Sequence, residues 1–351
     1  MTPPIVIVKS FDSLGREAAR IAPFKRALIV THAHLRRLYG TAVQTSLSRA
    51  GIDSNFHLIA QGEKTKNLKT VESIYSACIK SGLDRGSCLI ILGGGVVGDT
   101  AGFAAATFLR GIPLIQIPTT LLAMVDSSIG GKTGVDLKEA KNYVGAFHAP
   151  HLIWINLETL KSLPQNEFIN GMAEVIKYGV ITDAKLFENL EASVPIQKSP
   201  VQKNLSRIIE TCTAIKASVV QKDEKETLGL REILNFGHTW GHAVETFGNY
   251  RAYSHGQAIS IGMCAAGSMA IKLGTWKFAE LTRMENLLSR AGLPVRLARR
   301  LPEEPLFKIL LRDKKIRQAQ PRFVLPVKIG QVIVKTVSRQ VALEGLKYVQ
   351  P

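Results

Sequence analysis

Residues 89–108 read LIILGGGVVGDTAGFAAATF, and their pattern indicates the fold class. Its first four residues are apolar and predict a buried strand, which three glycines bring to an end. The residues after Asp99 predict an apolar helix. The apolar stretch from Cys88 to Leu109 contains Asp99 and five glycines, so it favours a buried strand, loop and helix over a membrane span.

The same alternation extends to both sides of this stretch. Strands are predicted at 26–31, 54–60 and 112–119, and helices at 35–50 and 67–83. Apolar strands that alternate with helices are typical of a parallel sheet covered on both faces. We therefore expect an N-terminal α/β domain.

From about Ser162 onward the pattern becomes helical. Segments 166–181, 201–221, 234–245 and 256–274 predict helices, and residues 322–337 predict a hairpin that turns at Ile329–Gly330. The sequence thus predicts two domains, an α/β domain over residues 1–165 and a mostly α-helical domain over residues 166–351.

Charge and cysteine content narrow the classes of function. The 351 residues carry a formal net charge of +17, which fits a nucleic acid, an acidic membrane surface, anionic small substrates or simply a solvated basic surface. No aromatic residues interleave with the basic stretches 296–300 and 312–317, which argues against nucleic-acid binding. Four widely spaced cysteines without a CxxC pair, and an N-terminus without a signal-peptide pattern, predict a cytoplasmic protein with neither a disulfide framework nor a membrane anchor.

Two loops in the first half are candidate anion sites. Gly93, Gly94, Gly95 and Gly98 lie between a strand and a helix, where free N–H groups favour a phosphate, although a tight turn is the simpler explanation. The loop matches neither GxGxxG with a later acid nor a Walker loop. A second segment, 117–147, is rich in small polar residues around Gly-Gly-Lys132 and suits phosphate or carboxylate binding.

Residues 234–245, LNFGHTWGHAVE, raise the question of a metal site. His238 and His242 share a helical face, His255 follows closely, and Glu174 is an acid in an apolar helical segment. Three of the eight histidines thus fall within eighteen residues, which favours metal ligands over buried core histidines. Spacing alone does not choose which three of these four residues bind an ion.

Several motifs together resemble the 3-dehydroquinate synthase family of sugar-phosphate cyclases. They are GGGVVGDTAGF (93–103), RGIPLIQIPTTLLAMVDSSIGGKTGVD (110–136), KNYVGAFHAP (141–150), FINGMAEVIKYG (168–179), REILNFGHTWGHAVE (231–245) and SHGQAISIGM (254–263). Iron-type alcohol and glycerol dehydrogenases share this fold more distantly. They tend to carry Gly-Gly-Gly-Ser followed by Asp-x-x-Lys, whereas Val96 and Gly102 stand at those places here.

The resemblance implies a lyase of the shikimate pathway, which serves aromatic amino acid biosynthesis. The family converts 3-deoxy-D-arabino-heptulosonate 7-phosphate to 3-dehydroquinate and phosphate by transient oxidation with NAD, elimination, reduction and aldol cyclisation. It also implies a zinc or cobalt ion, a cytoplasmic homodimer, and metal ligands Glu174, His238 and His255. His242 would then face the substrate as a polar or proton-handling group.

The family's other site residues map onto this sequence as follows. Catalytic positions would be Lys132, Glu174, Lys177, Lys216, Arg231, Asn235 and His242. Substrate contacts would be Arg110, Asp126, Asn142 and one of Lys314 and Lys315. The NAD diphosphate would lie on Gly95, Val96, Val97, Gly98 and Asp99. Around the rest of the cofactor would lie Glu63, Lys66, Thr119, Thr120, Lys132, Lys141, Thr159 and Ser162.

The sequence departs from the family at two places. His32 and His34 stand where the family has Thr-Asp and a nearby Asn beside the adenine ribose. One hypothesis is that this pair tolerates a 2′-phosphate and relaxes the preference for NAD over NADP; the alternative is that both histidines are partly exposed and have no effect. The second departure is Gln257, where Glu is common.

Three other functions compete with this prediction. A related cyclase would act on another sugar phosphate, such as sedoheptulose 7-phosphate, but Arg231, Asn235 and the segment 313–315 favour a substrate with a carboxylate. A polyol dehydrogenase is opposed by Gly102 and by the surplus of anion-binding residues. A nucleic-acid-binding protein would be retained on DNA in a salt-sensitive manner.

Overall fold

A computed structural model describes residues 3–193, 198–249, 251–311 and 321–351, and of residues 198–203 only the backbone. The chain divides into two compact units. Unit 1 contains residues 1–164 and 216–225, and unit 2 contains residues 165–215 and 226–351. No helix of the described residues is both long and apolar enough to cross a membrane.

The strands and helices predicted for unit 1 are present in the predicted order, and within its described residues the structure adds four strands and one α-helix that were not predicted. Its strands are β1 (Ile5–Val8), β2 (Arg26–Thr31), β3 (Asp53–Leu58), β4 (Cys88–Gly93), β5 (Leu114–Pro118), β6 (Lys132–Val135), β7 (Val144–Phe147) and β8 (Leu152–Asn156). Its helices are α1 (Leu14–Ile21), α2 (Ala33–Leu35), α3 (Thr41–Arg49), α4 (Leu68–Lys80) and α5 (Gly95–Thr107). A π-helical segment, Arg36–Gly40, joins α2 to α3, so one helical run covers the predicted helix at 35–50.

Six parallel strands form the central sheet of unit 1, in the order β1-β8-β5-β4-β2-β3. Every residue of β4 is buried, as an apolar strand inside a two-sided sheet requires. Ile29 and Ile90 pack with α1 and α3 on one face, whereas Leu28 and Ile91 pack with α4 and α5 on the other. The predicted α/β domain with a parallel sheet is confirmed.

The carboxyl ends of these strands lie at one edge of the sheet. β4 leads there into the glycine loop, β2 into His32, and β5 into Thr119. Parallel sheets bind their ligands at this edge because loops and helix N-termini converge there. β6 and β7 form a separate antiparallel hairpin with Lys132 opposite Phe147.

Unit 2 is mostly helical, as the sequence predicts. Its helices are α6 (Gln165–Ile181), α7 (Ala184–Ala192), α8 (Lys198–Lys222, whose last residues lie in unit 1), α9 (His238–Phe247), α10 (His255–Lys272), α11 (Phe278–Arg290), α12 (Glu303–Leu311) and α13 (Arg339–Tyr348). β9 (Arg322–Lys328) and β10 (Gln331–Thr336) form the predicted antiparallel hairpin. Helix α10 lies at the centre of the core, with Ile259, Met263 and Ala270 fully buried.

One helix prediction was wrong at its start. The stretch 234–245 was expected to be helical throughout, but α9 begins only at His238. Residues Leu230–Asn235 form a 3-10 helix, and Gly237 follows with φ of 78°. This left-handed conformation interrupts the right-handed helix, so His238 becomes the first residue of α9 rather than a mid-helix residue.

Candidate functional site

Three potential metal ligands of unit 2 come together from three helices. Glu174 lies in the middle of α6, His238 is the first residue of α9 and His255 is the first residue of α10. One ligand atom from each lies within 4.8 Å of the other two. This is the group of three that the family resemblance implies.

The distances show how the two imidazoles face the acid. The Nε2 atoms of His238 and His255 each lie 3.5 Å from Oε1 of Glu174. The Glu174 side chain has no solvent exposure, and its other oxygen forms an ion pair with Lys177. A buried carboxylate oxygen with two imidazole nitrogens suits a zinc or cobalt ion and leaves coordination positions open for substrate. The residues therefore fit a divalent ion.

Two glycines bring α9 and α10 close enough to form this cluster. A Cβ atom on Gly262 would lie 1.9 Å from the carbonyl oxygen of Gly237, and a Cβ on Gly237 would lie 2.6 Å from Cγ of Met263. Only glycine allows this approach of the two backbones. The local sequence thereby fixes the position of His238 relative to α10.

The second ring nitrogen of each histidine also has an acceptor. Nδ1 of His238 lies 3.1 Å from the carbonyl oxygen of Phe236, and Nδ1 of His255 lies 3.4 Å from Oε1 of Glu245. Burial and the neighbouring Lys177 lower the pKa of His238. Burial also disfavours a charged His255, but hydrogen bonds to Glu174 and Glu245 outweigh it and raise the pKa of His255 to about 10.

His242 lies beside this cluster, with its ring centroid 5.3 Å from that of His238 and 6.4 Å from that of His255. Its side chain is exposed, unlike that of Glu174. Among the described residues, the grouped ligand atoms are those of Glu174, His238 and His255. Of the four candidates that spacing left open, the geometry sets His242 apart from the other three.

Three further predicted residues of unit 2 lie close in sequence to these ligands. Lys177 is 1% exposed, and its Nζ also donates to the carbonyl oxygen of Leu234 at 2.8 Å. Arg231 is buried, and both Arg231 and Asn235 lie on the 3-10 helix that precedes α9. Lys314 and Lys315 lie outside the described residues.

In unit 1 the glycine loop has the geometry of an anion site. Helix α5 begins at Gly95, with Gly94 as an extended cap, so Gly95, Val96 and Val97 supply its first backbone N–H groups. The first N–H groups of a helix lack intrahelical partners and favour an anion. The N–H of Thr119 donates to the carbonyl oxygen of Gly93 at 3.0 Å, which holds the end of β5 against this loop.

Four predicted cofactor residues and the predicted substrate contact Asn142 lie in linked ion pairs and hydrogen bonds in unit 1, which meet at Asp136. The buried Lys66 ammonium donates to Asp99 Oδ2 at 2.5 Å and to Asn142 Oδ1 at 2.6 Å. Burial alone would lower the pKa of Lys66, but Asp99 raises it. Burial raises the pKa of Asp99, and Lys66 opposes this shift. Lys141 pairs with Glu63 at 2.6 Å. The structure thus brings together Glu63, Lys66, Asp99, Lys141 and Asn142.

The other predicted residues of unit 1 make contacts of their own, apart from those of Lys66 and Lys141. Nζ of Lys216 lies 2.7 Å from Oδ1 of Asp126 and 2.6 Å from its carbonyl oxygen. Ser162 Oγ lies 2.6 Å from the Tyr39 hydroxyl, and Thr159 is buried. Arg110 is exposed in a left-handed conformation, and Lys132 is the exposed first residue of β6. Thr120 caps the next turn through a bond from the N–H of Ala123.

The residues that depart from the family pattern, Gln257 and the pair His32 and His34, each have a polar partner nearby. Gln257 closes a capping box at the start of α10, because its Oε1 accepts from the N–H of Ser254 at 2.9 Å. A glutamine oxygen serves this purpose as a glutamate oxygen does. His32 lies 3.0 Å from the amide of Gln61, and His34 lies 3.0 Å from Arg37.

Sequence reasoning missed Glu245 and the Phe236 carbonyl. Glu245 lies seven residues after His238, so a helical wheel places both on one face of α9 and could have singled it out. The carbonyl of Phe236 has no sequence signal, because any residue supplies one.

Comparisons with known proteins agree on the family. The family model described as "3-dehydroquinate synthase N-terminal" matches residues 56–170, and "3-dehydroquinate synthase C-terminal" matches residues 171–316. A relative described as 3-dehydroquinate synthase, from Nostoc punctiforme, is 47% identical over 328 residues, which cover 93% of this chain and 90% of that protein.

Solved structures show the same fold. The 2-epi-5-epi-valiolone synthase ValA from Streptomyces hygroscopicus, with NAD⁺ and Zn²⁺ bound, is 27% identical with a TM-score of 0.89, over 99% of this chain and 97% of that chain. A 2-deoxy-scyllo-inosose synthase complexed with carbaglucose-6-phosphate, NAD⁺ and Co²⁺ is 23% identical with a TM-score of 0.87, over 99% and 98% of the two chains. The chain belongs to the 3-dehydroquinate synthase family.

Proposed function

We propose that this chain converts 3-deoxy-D-arabino-heptulosonate 7-phosphate to 3-dehydroquinate and phosphate, as the name of its family indicates. It is a phosphorus–oxygen lyase of the shikimate pathway, with NAD and a divalent metal ion as cofactors. The observation that carries this conclusion is the 47% identity to a 3-dehydroquinate synthase over 93% of the chain. The clustered Glu174, His238 and His255 support it, because these three residues could hold the divalent ion that such an enzyme needs.

The metal ion would be held by Glu174, His238 and His255. Zinc or cobalt held there would supply Lewis-acid chemistry, which lowers the pKa of a coordinated hydroxyl. Lys177 holds one oxygen of Glu174, which leaves Oε1 directed at the two imidazoles. His242, exposed beside the cluster, is suited to exchange a proton with a bound sugar.

NAD would lie along the carboxyl edge of the sheet in unit 1. The N–H groups at the start of α5 would bind its diphosphate, and the bound cofactor would supply reversible hydride transfer. Lys66 holds Asp99 and Asn142 in fixed positions beside that loop. The remaining cofactor contacts would come from Glu63, Thr119, Thr120, Lys132, Lys141, Thr159 and Ser162.

The substrate carries a carboxylate and a phosphate ester, and basic residues would bind both groups. Each charge-assisted hydrogen bond to such an anion contributes about 1.5–3 kcal/mol. Lys216 is oriented by Asp126, and Lys177 by Glu174 and the Leu234 carbonyl. The proposed substrate contacts are Arg110, Asp126, Lys132, Asn142, Lys177, Lys216, Arg231, Asn235, His242, and Lys314 or Lys315.

The family also suggests the setting in which the chain works. We place it in the cytoplasm as a homodimer with a small-molecule substrate and no nucleic-acid or membrane partner. The four described cysteines are free thiols, which fits a reducing compartment. Sedimentation of the purified protein would establish whether it is a dimer.

Substrate preference tests the proposed reaction. Phosphate release is measured with heptulosonate 7-phosphate and with sedoheptulose 7-phosphate, under the same NAD and metal conditions. We expect kcat/KM to favour the first substrate by at least about a hundredfold, because a site built for a carboxylate leaves cations unpaired without one. Equal or reversed preference would assign the chain to another cyclase of this fold.

A further inference from the structure

His255 lies between two carboxylates. Its Nε2 is 3.5 Å from Oε1 of Glu174, and its Nδ1 is 3.4 Å from Oε1 of Glu245. Glu174 comes from α6 and Glu245 from the last turns of α9, so both acids are fixed by helices. The orientation of the His255 ring therefore depends on two elements other than its own.

His238 shows the same arrangement with a different acceptor. Its Nε2 faces Glu174, and its Nδ1 is turned away toward the carbonyl oxygen of Phe236. Both imidazoles thus present Nε2 to the proposed metal position and have an oxygen at Nδ1. The acceptor is a neutral carbonyl for His238 and a charged carboxylate for His255.

The Glu245 side chain is only 11% exposed. An acid withdrawn from water to this extent costs free energy unless a donor compensates it. The ring Nδ1–H of His255 is close enough to be that donor. His255 is the first residue of α10, the helix that follows α9 in the chain. The contact therefore ties the end of one metal-site helix to the start of the next.

We propose that Glu245 is a positioning residue of the metal centre. Its carboxylate accepts the Nδ1–H of His255, which fixes the ring tautomer, directs Nε2 at the ion and increases the basicity of that nitrogen. The inference rests on the metal ligands proposed above. Such outer acceptors typically change metal affinity by about 10- to 100-fold when they are removed.

Metal affinity is the direct test. Dissociation constants for Zn²⁺ and Co²⁺ are measured by competition with a chromophoric chelator, for the wild type, Glu245→Gln and Glu245→Ala. Glu285→Gln is the matched control, because it removes a partly buried acid of unit 2 that pairs with Arg296 away from the metal ligands. His238→Ala is the reference for loss of a ligand.

We expect Glu245→Ala to weaken metal binding by about 10- to 100-fold and Glu245→Gln by a smaller factor, since the amide keeps an acceptor but loses the charge. The visible absorption of the bound Co²⁺ should shift in both variants, because the His255 ring is reoriented. The control should bind metal within twofold of the wild type. Circular dichroism verifies folding, and Glu245→Gln alone decides the outcome if the alanine variant does not fold.

Two results would overturn the inference in distinguishable ways. If His238→Ala loses the metal but the Glu245 variants bind within twofold of the wild type with an unchanged Co²⁺ spectrum, Glu245 has no positioning role and the ligand assignment stands. If His238→Ala also retains wild-type affinity, the ligand assignment itself is wrong, and the role of Glu245 is lost with it.

Discussion

Lys177 follows Glu174 by three residues on α6, and the two form a buried ion pair. Loss of one partner of such a pair costs about 3–5 kcal/mol, because the other charge is left buried and uncompensated. A bound divalent ion would compensate Glu174 in the absence of the lysine. The pair is therefore expected to matter most to the metal-free protein.

The substitution Lys177→Met tests this dependence. We expect the free energy of unfolding in urea to fall by about 3 kcal/mol without metal and by less than half of that with saturating Zn²⁺. Equal destabilisation in both states would mean that the ion does not contact Glu174. Arg283→Met, which breaks the surface pair with Glu191, is the control that metal should not affect.

His32 stands where the family has an aspartate, so the affinity for NAD is the property expected to differ from that of the family. Burial, and then the neighbouring His34, lower the pKa of His32, so the ring is neutral at neutral pH and brings no charge to a 2′-phosphate. An acid at such a strand end accepts bonds from the ribose hydroxyls. We expect His32→Asp to tighten NAD binding by roughly fivefold, about 1 kcal/mol, and not to tighten NADP binding.

Isothermal titration of both nucleotides measures this change. His151→Asp, just before β8 at the opposite edge of the sheet, controls for the added negative charge. Unchanged NAD affinity in His32→Asp would remove the histidine from the cofactor site. Wild-type binding of NADP as tight as NAD would instead support the hypothesis that the pair tolerates a 2′-phosphate.

Gly237 determines where α9 begins. Its positive φ and the lack of room for a Cβ beside Met263 together separate the 3-10 helix from the α-helix. Alanine at this position would adopt a left-handed backbone conformation, which lowers stability by about 1–2 kcal/mol. Its Cβ would also overpack the contact, which lowers stability by about 1–3 kcal/mol more. The proposed ligand His238 is the next residue, so we expect its position to shift with the strain.

The pair Gly237→Ala and Gly274→Ala separates the two contributions. Gly274 also has a positive φ, of 70°, but a Cβ there would meet nothing within 4 Å. We expect Gly274→Ala to lower the free energy of unfolding by the backbone strain alone. Gly237→Ala should lower it by at least about 1 kcal/mol more, because of overpacking, and should also weaken metal binding. If both variants lose the same free energy of unfolding in urea, the close approach of α9 and α10 does not determine the backbone conformation at Gly237.

The same elements show which features a sequence reveals. Residues 88–93 are uniformly apolar because β4 is buried on both faces of the sheet. Such burial affects every residue of the strand, so the sequence of the strand alone predicts it. The start of α9 was predicted too early. The backbone conformation at Gly237 depends on its close packing against Met263 and Ile259 of α10, which the local sequence does not reveal. Motif resemblance named Glu174, His238 and His255, whereas Glu245 emerged only when α9 and α10 were seen together.

Both units of the molecule bury their thiols. Cys78, Cys88, Cys212 and Cys264 are free and buried. Burial raises the pKa of Cys78 to about 12, and it also raises the pKa values of Cys88 and Cys264. Thiolate is the reactive form, so we expect no reaction with a disulfide reagent at pH 8 in the native state.

The four thiols should react together on unfolding in urea, at a rate set by unfolding. A thiol titration followed by absorbance counts them. One cysteine that reacts rapidly in the native protein would show that its unit opens locally, and labelling followed by mass spectrometry would identify it.

A closed redox cycle at a metal site distinguishes the proposed synthase from a dehydrogenase. The most direct measurement follows phosphate release from heptulosonate 7-phosphate and NADH absorbance in one sample, with catalytic enzyme and limiting NAD, before and after a chelator is added. We expect many phosphates released per NAD, no net NADH, and a halt after chelation that Zn²⁺ or Co²⁺ reverses. NADH that accumulates in step with phosphate, or release that persists without metal, would contradict it.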